Sequence, residues 1–412
     1  MNYVYVCYRV LIILKLSSDI IMKFNFRRGV MFKSVGLRFF AFLFVSGFML
    51  LSAETIKIGA IVSATGPASF LGDPELKTLQ HYVKKINDEG GVNGQKIKLI
   101  AYDTGASPRK AVTFVKRLIN QDKVVAIIGP STTGETMAII KFVQRAKIPL
   151  ISMAGAVAII KPVKKYVFKM VATDRMACQK IMQDLKRRKL TNLALISGSG
   201  GFGKSMRKQC KDVAPHYGVK IVADETYGKK DTDMTTQLLK IKNNKRVQVV
   251  LNPGFGQGPA IVTKNYRQLK IKQPLYQSHG VASKKYIEIA GKAANGVRLV
   301  APPVVVADKL SDSNPIKKVA LAYKNEYEKT FHTQVASFGG HAYDSLYAIV
   351  AAIKAENSTN PQKIRDGIEN LKNFKGIDGV VNMSPKDHLG LDTKTGLVLL
   401  DIKNGDWSIV KE

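Results

Sequence analysis

The stretch "VVAIIGPSTTGETMAIIKFVQRAKIPLIS", Val124 to Ser152, decides the fold of this chain. It contains an apolar run, "VVAIIG", then a segment with a helix-like pattern, "GETMAIIKFVQRAK", and then a second apolar run, "IPLIS". Continuous runs of Val, Ile and Leu are typical of strands that are buried on both faces of a parallel sheet, with helices between them. The stretch therefore predicts a strand–helix–strand unit of such a sheet.

The same alternation continues on both sides of this unit in two successive rounds. The first round begins with the strand "TIKIGAIV" at 55–62, and the second begins with the strand "YVFKMV" near Tyr166. Helices dominate from 315 to 371, and short strands close the chain. Two rounds of this kind predict an α/β protein with two doubly wound parallel-sheet lobes that carry helices on both faces.

A ligand is expected in a cleft between the two lobes. In sheets of this type ligands bind beyond the carboxyl ends of the strands, on the loops that lead into the helices. Six such loops are rich in glycine, serine and threonine: 63–73, 129–134, 152–156, 197–203, 252–258 and 278–283. Their backbone N–H groups and hydroxyls suit a carboxylate. Each loop alone also needs Gly and Ser for turning and capping, so the prediction depends on the whole set.

The N-terminal segment has the pattern of a secretory signal. Basic residues precede the apolar run "FFAFLFVSGFMLLSA" at 39–53, and small residues end it. We expect cleavage after Ala53, with 1–30 either untranslated or an unusually long basic region. No Cys follows the expected cut, so a lipid anchor is not indicated. Residues 1–53 hold seven basic residues and one acidic residue, so the remainder has 57 basic and 30 acidic residues and a net charge of +27.

This positive charge would attract anionic solutes, anionic lipid or nucleic acid. The basic residues are scattered, and no recognition motif or aromatic-flanked basic cluster accompanies them, so we predict a solvated basic surface and no nucleic-acid partner. The six histidines have no partner at metal-ligand spacing, and no Cys-x-x-Cys or Gly-x-Ser-x-Gly motif occurs. We therefore predict no metal, no cofactor and no enzyme activity.

The stretch "GSGGFGKS", Gly198 to Ser205, matches the phosphate-binding pattern G-x-x-x-x-G-K-[ST] between a strand and a helix. Such a site also needs an acidic residue at the end of a nearby strand for Mg²⁺, but the strand "VQVVLN" ends in Asn252. The secretory signal also directs the chain away from ATP. We therefore predict that these glycines form a tight turn at the cleft rather than a nucleotide site.

Two cysteines, Cys178 and Cys210, follow the signal segment. An oxidising compartment would permit a disulfide between them. Two buried free thiols are the other possibility, because the sequence does not show whether the side chains meet.

Several stretches together resemble one family. "IKIGAIVSATGPASFLGD", "INDEGGVNGQKIKLIAYD", "VVAIIGPSTTGETMAI" and "FGGHAYDSLYAIVAAI", in this order, resemble the extracytoplasmic solute-binding proteins of ABC importers for branched-chain amino acids. The resemblance covers 54–412. It implies a periplasmic monomer that delivers a solute to ABC permease subunits. Three crossovers would join lobe one (54–172 plus 302–382) to lobe two (173–301 plus 383–412).

The resemblance also implies a polar end of the ligand site. In the amino-acid binders a hydroxyl residue in the loop that matches "GPSTTG" holds the ligand carboxylate, and the matching residue is Thr133, next to Thr132. A backbone carbonyl and a Thr in the next loop hold the carboxylate and the ammonium. These positions are Ala154 and Ala156, on either side of Gly155, so the Thr hydroxyl is missing here.

The resemblance further implies an apolar end of the site. An aromatic residue of lobe two covers the ligand side chain, and Phe202 matches it; a large residue of lobe one matches Leu71, next to Phe70. Phe255 is expected to add to this apolar wall. In the family an acidic residue after the stretch "PLYQ" pairs with the ligand ammonium, but this chain has His279 there.

These departures predict a ligand without an α-amine. A buried ammonium needs a partner, and His279 and Ala156 do not provide one. We therefore expect a carboxylate, most simply an aromatic acid such as a benzoate or cinnamate relative. A branched-chain amino-acid receptor and a ligand-binding sensor of the same fold remain as alternatives. His279 could instead cap a helix or pack a loop. The stretch "HAYDS" at 341–345 could line the cleft, although its helix pattern predicts packing.

Overall fold

A computed structural model describes residues 55–411. The segment predicted as a secretory signal, 1–53, lies outside the described residues. The first sheet is entirely parallel and has the strand order β2-β1-β3-β4-β5. Its strands are β1 (Ile56–Val62), β2 (Ile97–Asp103), β3 (Ala126–Ile128), β4 (Leu150–Ser152) and β5 (Val167–Lys169). Its helices are α1 (Ser69–Asp88), α2 (Pro108–Arg117) and α3 (Thr133–Ala146).

The second sheet has seven strands in the order β14-β13-β10-β9-β8-β6-β7. Its strands are β6 (Asn192–Gly198), β7 (Lys220–Tyr227), β8 (Val249–Asn252), β9 (Leu275–Gln277), β10 (Arg298–Ala301), β13 (Val398–Lys403) and β14 (Asp406–Ile409). Its helices are α4 (Asp174–Arg187), α5 (Gly201–Val213), α6 (Thr235–Asn243), α7 (Gln257–Gln268) and α8 (Lys284–Ala290). The last two strands are antiparallel to their neighbours. This sheet is therefore mixed, whereas the sequence pattern predicted a parallel sheet.

Later helices return to the first sheet. They are α9 (Lys317–Phe331), α10 (Ser337–Glu356) and α11 (Pro361–Glu369). The hydroxyls of Thr78 on α1 and Tyr323 on α9 are 2.8 Å apart, and α10 packs beside them in the same apolar core. A short hairpin follows, β11 (Phe374–Lys375) and β12 (Val380–Val381), and one helical turn, α12 (Thr393–Gly396), precedes β13.

The chain therefore passes between the two sheets three times: after β5, after β10 and before β13. We call the first sheet with its helices the first lobe, and the second sheet with its helices the second lobe. The predicted two-lobed α/β fold is confirmed. The central strands are buried runs of Val, Ile, Leu and Ala, as the apolar runs in the sequence predicted.

Two local predictions were wrong. The strand at 167–169 pairs with β4, so it completes the first sheet and does not begin the second. The loop predicted over 63–73 is helical from Ser69, and α1 contains Pro74. Close packing explains the early helix: a Cβ on Gly72 would lie 2.1 Å from the carbonyl carbon of Ser63. Tertiary packing therefore overrides the weak helix propensity of the Gly and Pro residues.

A disulfide joins Cys178 on α4 to Cys210 on α5. Both residues are fully buried in the core of the second lobe. Of the two possibilities that the sequence left open, the structure has the bridge.

Candidate ligand-binding site

A cavity lies where the carboxyl ends of strands from both lobes face each other. It holds about 380 Å³ of space free of protein atoms, open solvent at its mouth included. The residues that line it are Leu71, Ser131, Thr132, Thr133, Met153, Gly155, Val171, Phe202, Phe255, His279, Gly280, Phe338 and His341.

Seven of the residues predicted from the sequence line this cavity together: Leu71, Thr132, Thr133, Gly155, Phe202, Phe255 and His279. Phe70, Ala154 and Ala156 are not among the lining residues. The Phe70 ring packs edge-on against the ring of the lining residue Phe338, with 5.5 Å between the ring centroids. The side chains of Ala154 and Ala156 are buried in the core of the first lobe.

The two threonines of the "GPSTTG" loop have different roles. The Thr132 hydroxyl donates to Glu135 Oε2 at 2.5 Å, so it holds the loop. Thr133 is the first residue of α3, and its hydroxyl is buried without a hydrogen-bond partner. A buried hydroxyl without a partner is costly, so Thr133 Oγ1 is a group that a ligand could satisfy.

His279 lies in the turn that follows β9. Both ring nitrogens are buried and have no partner. Burial lowers the pKa of His279 to about 3, and the nearby positive charge of Lys169 adds to this effect. The neutral ring offers one donor and one acceptor. The alternative of a capping histidine does not apply, because Ser278 caps this turn by accepting from the N–H of Gly280.

His341 on α10 lines the cavity and was not predicted as a site residue. Its Nδ1 lies 2.5 Å from Asp378 Oδ2. Burial lowers the pKa of His341 to about 3 and raises the pKa of Asp378 well above its usual range. Whichever partner carries the shared proton, the pair is neutral overall. The stretch "HAYDS" therefore does line the cleft, through His341.

Three phenylalanines form the apolar wall: Phe202 and Phe255 from the second lobe and Phe338 from the first. The Phe202 ring packs edge-on against the rings of Phe255 and His279. The distances between ring centroids are 6.1 Å and 5.3 Å. Phe338 lies in the first turn of α10 and is the first residue of the stretch "FGGHAYDSLYAIVAAI", but it was not predicted as a site residue. An aromatic wall of this kind suits an apolar ligand group, aromatic or aliphatic.

Lys169 lies behind the loop 154–156 and is fully buried. Its Nζ donates to the carbonyl oxygen of Ala154 and, at 3.5 Å, to that of Ala156. Burial lowers the pKa of Lys169 to about 7, although the negative charge of Asp174 partly opposes this shift. The Ala154 carbonyl, which the family resemblance assigns to a ligand, is therefore bound by a side chain of this protein.

Acidic side chains are near the cavity but do not line it. Glu75 lies behind Ser131, whose hydroxyl donates to Glu75 Oε2, while Oε1 is buried without a partner. Burial raises the pKa of Glu75 well above its usual range. Among the described residues, those that line the cavity are therefore uncharged at neutral pH. The nearby charge is that of Lys169, which lies behind the lining.

The phosphate-binding pattern lies beside a second, outer cavity. This cavity holds about 1320 Å³, open solvent included, and Phe255 lines both cavities. A Cβ on Gly203 would lie 2.0 Å from the Gly198 carbonyl oxygen, so this glycine permits close packing of α5 on β6. Lys204 is exposed and lines neither cavity. Of the eight motif residues, the inner cavity uses only Phe202.

Two α/β lobes, three crossings and a cavity between the carboxyl ends of their strands define a two-lobed solute-binding protein. The sequence model of the periplasmic binding protein family matches residues 55–405. The chain belongs to that family.

Known relatives agree with this assignment. A leucine-, isoleucine-, valine-, threonine- and alanine-binding protein of Pseudomonas aeruginosa is 23% identical over 90% of this chain and 94% of the relative. The crystal structure of an extracellular ligand-binding receptor from Rhodopseudomonas palustris is 28% identical, with a TM-score of 0.81, over 87% of this chain and all of that chain.

The fold is also that of a branched-chain amino acid transporter substrate-binding protein from Streptococcus pneumoniae in complex with isoleucine. The two are 24% identical, with a TM-score of 0.77, over 87% of this chain and all of that chain. Within residues 55–411 no helix combines the length and apolarity needed to span a membrane. The same residues contain no cluster of three or more His, Cys, Asp or Glu side chains suited to a metal ion.

Proposed function

We propose that this protein is the periplasmic solute receptor of an ABC importer and that its solute is a small carboxylate without an α-amine, such as an aromatic acid. Membership of the periplasmic binding protein family supports the receptor role. The lobes would close on the solute and present it to permease subunits. Closure requires that the closed state binds the solute more tightly than the open state.

The uncharged lining of the cavity supports a ligand without an ammonium. An ammonium buried among Thr133, His279 and phenylalanine rings would have no carboxylate partner, which is costly. His279 is neutral because burial lowers its pKa to about 3. This arrangement is the single observation on which the ligand proposal depends.

The ligand carboxylate would lie near the free hydroxyl of Thr133 and the unpartnered nitrogens of His279. Its ring would lie among Phe202, Phe255 and Phe338. Hydrogen bonds from neutral donors and the start of α3 would then stabilise the anion.

Isothermal titration calorimetry with benzoate and with leucine tests this proposal. We expect benzoate to bind and leucine to bind at least tenfold more weakly. His279→Asp places a negative charge in the lining and is expected to weaken benzoate binding at least tenfold. His216→Asp is the matched control, because it adds the same charge at an exposed histidine. Tight leucine binding without benzoate binding would refute the proposed ligand.

A branched-chain amino-acid receptor is the second candidate. The names of the relatives favour it, and so does Glu75, whose free Oε1 lies behind Ser131. An ammonium that displaced Ser131 could reach this carboxylate. The leucine titration decides between the two candidates, and Glu75→Gln would abolish leucine binding only in the second.

A further inference from the structure

Lys169 is a buried cation close to the ligand cavity. The end of β5 carries it, and none of its side chain is exposed. Within residues 55–411, its ammonium donates to two carbonyl oxygens, those of Ala154 and Ala156, and no carboxylate lies within ion-pair distance. A buried charge without an ion-pair partner is unfavourable. Below about pH 7, where Lys169 is mostly charged, the free protein therefore holds a buried positive charge that the charge of Asp174 offsets only in part and that an anion could neutralise.

This charge acts on the cavity itself. Lys169 is among the causes that lower the pKa values of His279 and His341, which lie on opposite walls of the cavity. Gly155, between the two carbonyls that Lys169 holds, lines the same cavity. The loop 154–156 therefore connects the ammonium to the wall of the cavity.

The other titratable groups around Lys169 are either engaged with other partners or neutral. Asp174 on α4 accepts from the N–H of Val157 and from Ser205. His341 pairs with Asp378. His388, whose backbone oxygen accepts from the Lys169 N–H, has its ring bonded to Val167 O and Glu369. His279 is neutral. None of these groups forms an ion pair with the Lys169 ammonium.

We propose that Lys169 is the specificity-determining cation of the cleft. Its ammonium holds the carbonyls of the loop 154–156, and its field favours a carboxylate and opposes a ligand ammonium. This inference deepens the proposed function and rests on it. Lys169 acts through the loop and its charge, without contact with the ligand.

Ligand binding should be coupled to the uptake of a proton by Lys169. Burial lowers the pKa of free Lys169 to about 7, so near pH 8 most of the population is neutral. A bound carboxylate favours the charged form and raises this pKa. Binding then takes up a proton, and carboxylate affinity falls as pH rises above about 7, by at most about tenfold per pH unit.

Calorimetry of benzoate in buffers with different ionisation enthalpies measures this proton uptake. At pH 8 we expect wild-type protein to take up roughly half a proton or more per ligand, and at pH 6 close to none. Benzoate itself stays ionised across this range. Lys169→Met should bind benzoate at least tenfold more weakly at pH 6 and take up no proton at pH 8. Lys165→Met, at an exposed position of the same segment, should behave as wild type.

The possible outcomes separate the two proposals. If wild type binds benzoate and Lys169→Met binds it equally well with the same proton uptake, the role of Lys169 is refuted and the proposed function stands. If wild type binds leucine and not benzoate, the proposed ligand is refuted and this inference with it. If the variant does not fold, the wild-type titration still decides, because absence of proton uptake between pH 6 and pH 8 refutes the role of Lys169.

Discussion

At the scale of single residues, Thr133 shows how a group can serve binding at the expense of stability. Its hydroxyl is buried and has no partner in the protein, whereas the adjacent Thr132 donates to Glu135. Both are threonines of one loop, so residue type alone does not distinguish them, although the family resemblance assigned the ligand carboxylate to Thr133. The packing of α3 places one hydroxyl against a carboxylate and the other toward the cavity.

Thr133→Val is therefore expected to weaken benzoate binding without destabilising the protein. A hydrogen bond to a charged group contributes about 1.5–3 kcal/mol, which corresponds to roughly tenfold or more in affinity. Calorimetry and urea unfolding measure the two effects. Thr132→Val is the contrasting variant, because it removes a partner of buried Glu135 and should lower the free energy of unfolding by about 1–3 kcal/mol. Unchanged affinity in Thr133→Val would contradict this role.

At the scale of elements, the disulfide connects two helices of the second lobe, α4 and α5, close to the ligand cavity. Cys178 lies on α4 and Cys210 on α5, and Phe202 lies in the first turn of the same α5. The bridge closes a loop with a sequence separation of 32 residues. Restricting the unfolded chain by a loop of this length stabilises a protein by about 3–4 kcal/mol in the chain-entropy account.

We expect the double variant Cys178→Ala/Cys210→Ala to lose about 3 kcal/mol of unfolding free energy. Urea denaturation followed by circular dichroism measures this loss. Benzoate affinity should not change, because neither cysteine lines the cavity. Wild type unfolded in the presence of a reductant should show a similar loss. An identical denaturation midpoint with and without reductant would show that the bridge does not contribute.

At the scale of the whole molecule, Gly155 lies where the two lobes touch. A Cβ at this position would lie 2.7 Å from Phe202 Cε2 and 2.9 Å from His279 Nε2. Both neighbours belong to the second lobe, whereas Gly155 belongs to the first. A single methyl group would therefore oppose closure without disturbing the core of either lobe.

Gly155→Ala is expected to leave the unfolding temperature of the free protein unchanged and to weaken benzoate binding at least tenfold. Small-angle X-ray scattering should show a smaller radius of gyration when wild type binds benzoate and a smaller change in the variant. Gly134→Ala is the matched control, since its Cβ would meet only Pro108 at 3.8 Å. A variant that closes and binds like wild type would refute this role of Gly155.

Much of the architecture follows from the sequence alone. The apolar runs and helical periodicities predicted two parallel α/β lobes and a cleft at the carboxyl ends of the strands, because these patterns reflect local geometry and burial. The loops that match the family also indicated seven of the lining residues. The β5 strand and the start of α1 were misassigned, because strand pairing and close packing with distant segments decide them.

Only the tertiary structure decided which polar groups face the cleft and which are already satisfied. Lys169 and His341 belong to segments that read as an ordinary strand and helix, and Phe338 and His341 are far in sequence from the other lining residues. Their roles arise because the fold buries Lys169 behind the loop 154–156 and brings α10 to the cavity. Burial and hydrogen-bond partners depend on residues distant in sequence, so local patterns determine the lobes, whereas the character of the site comes from how the lobes pack.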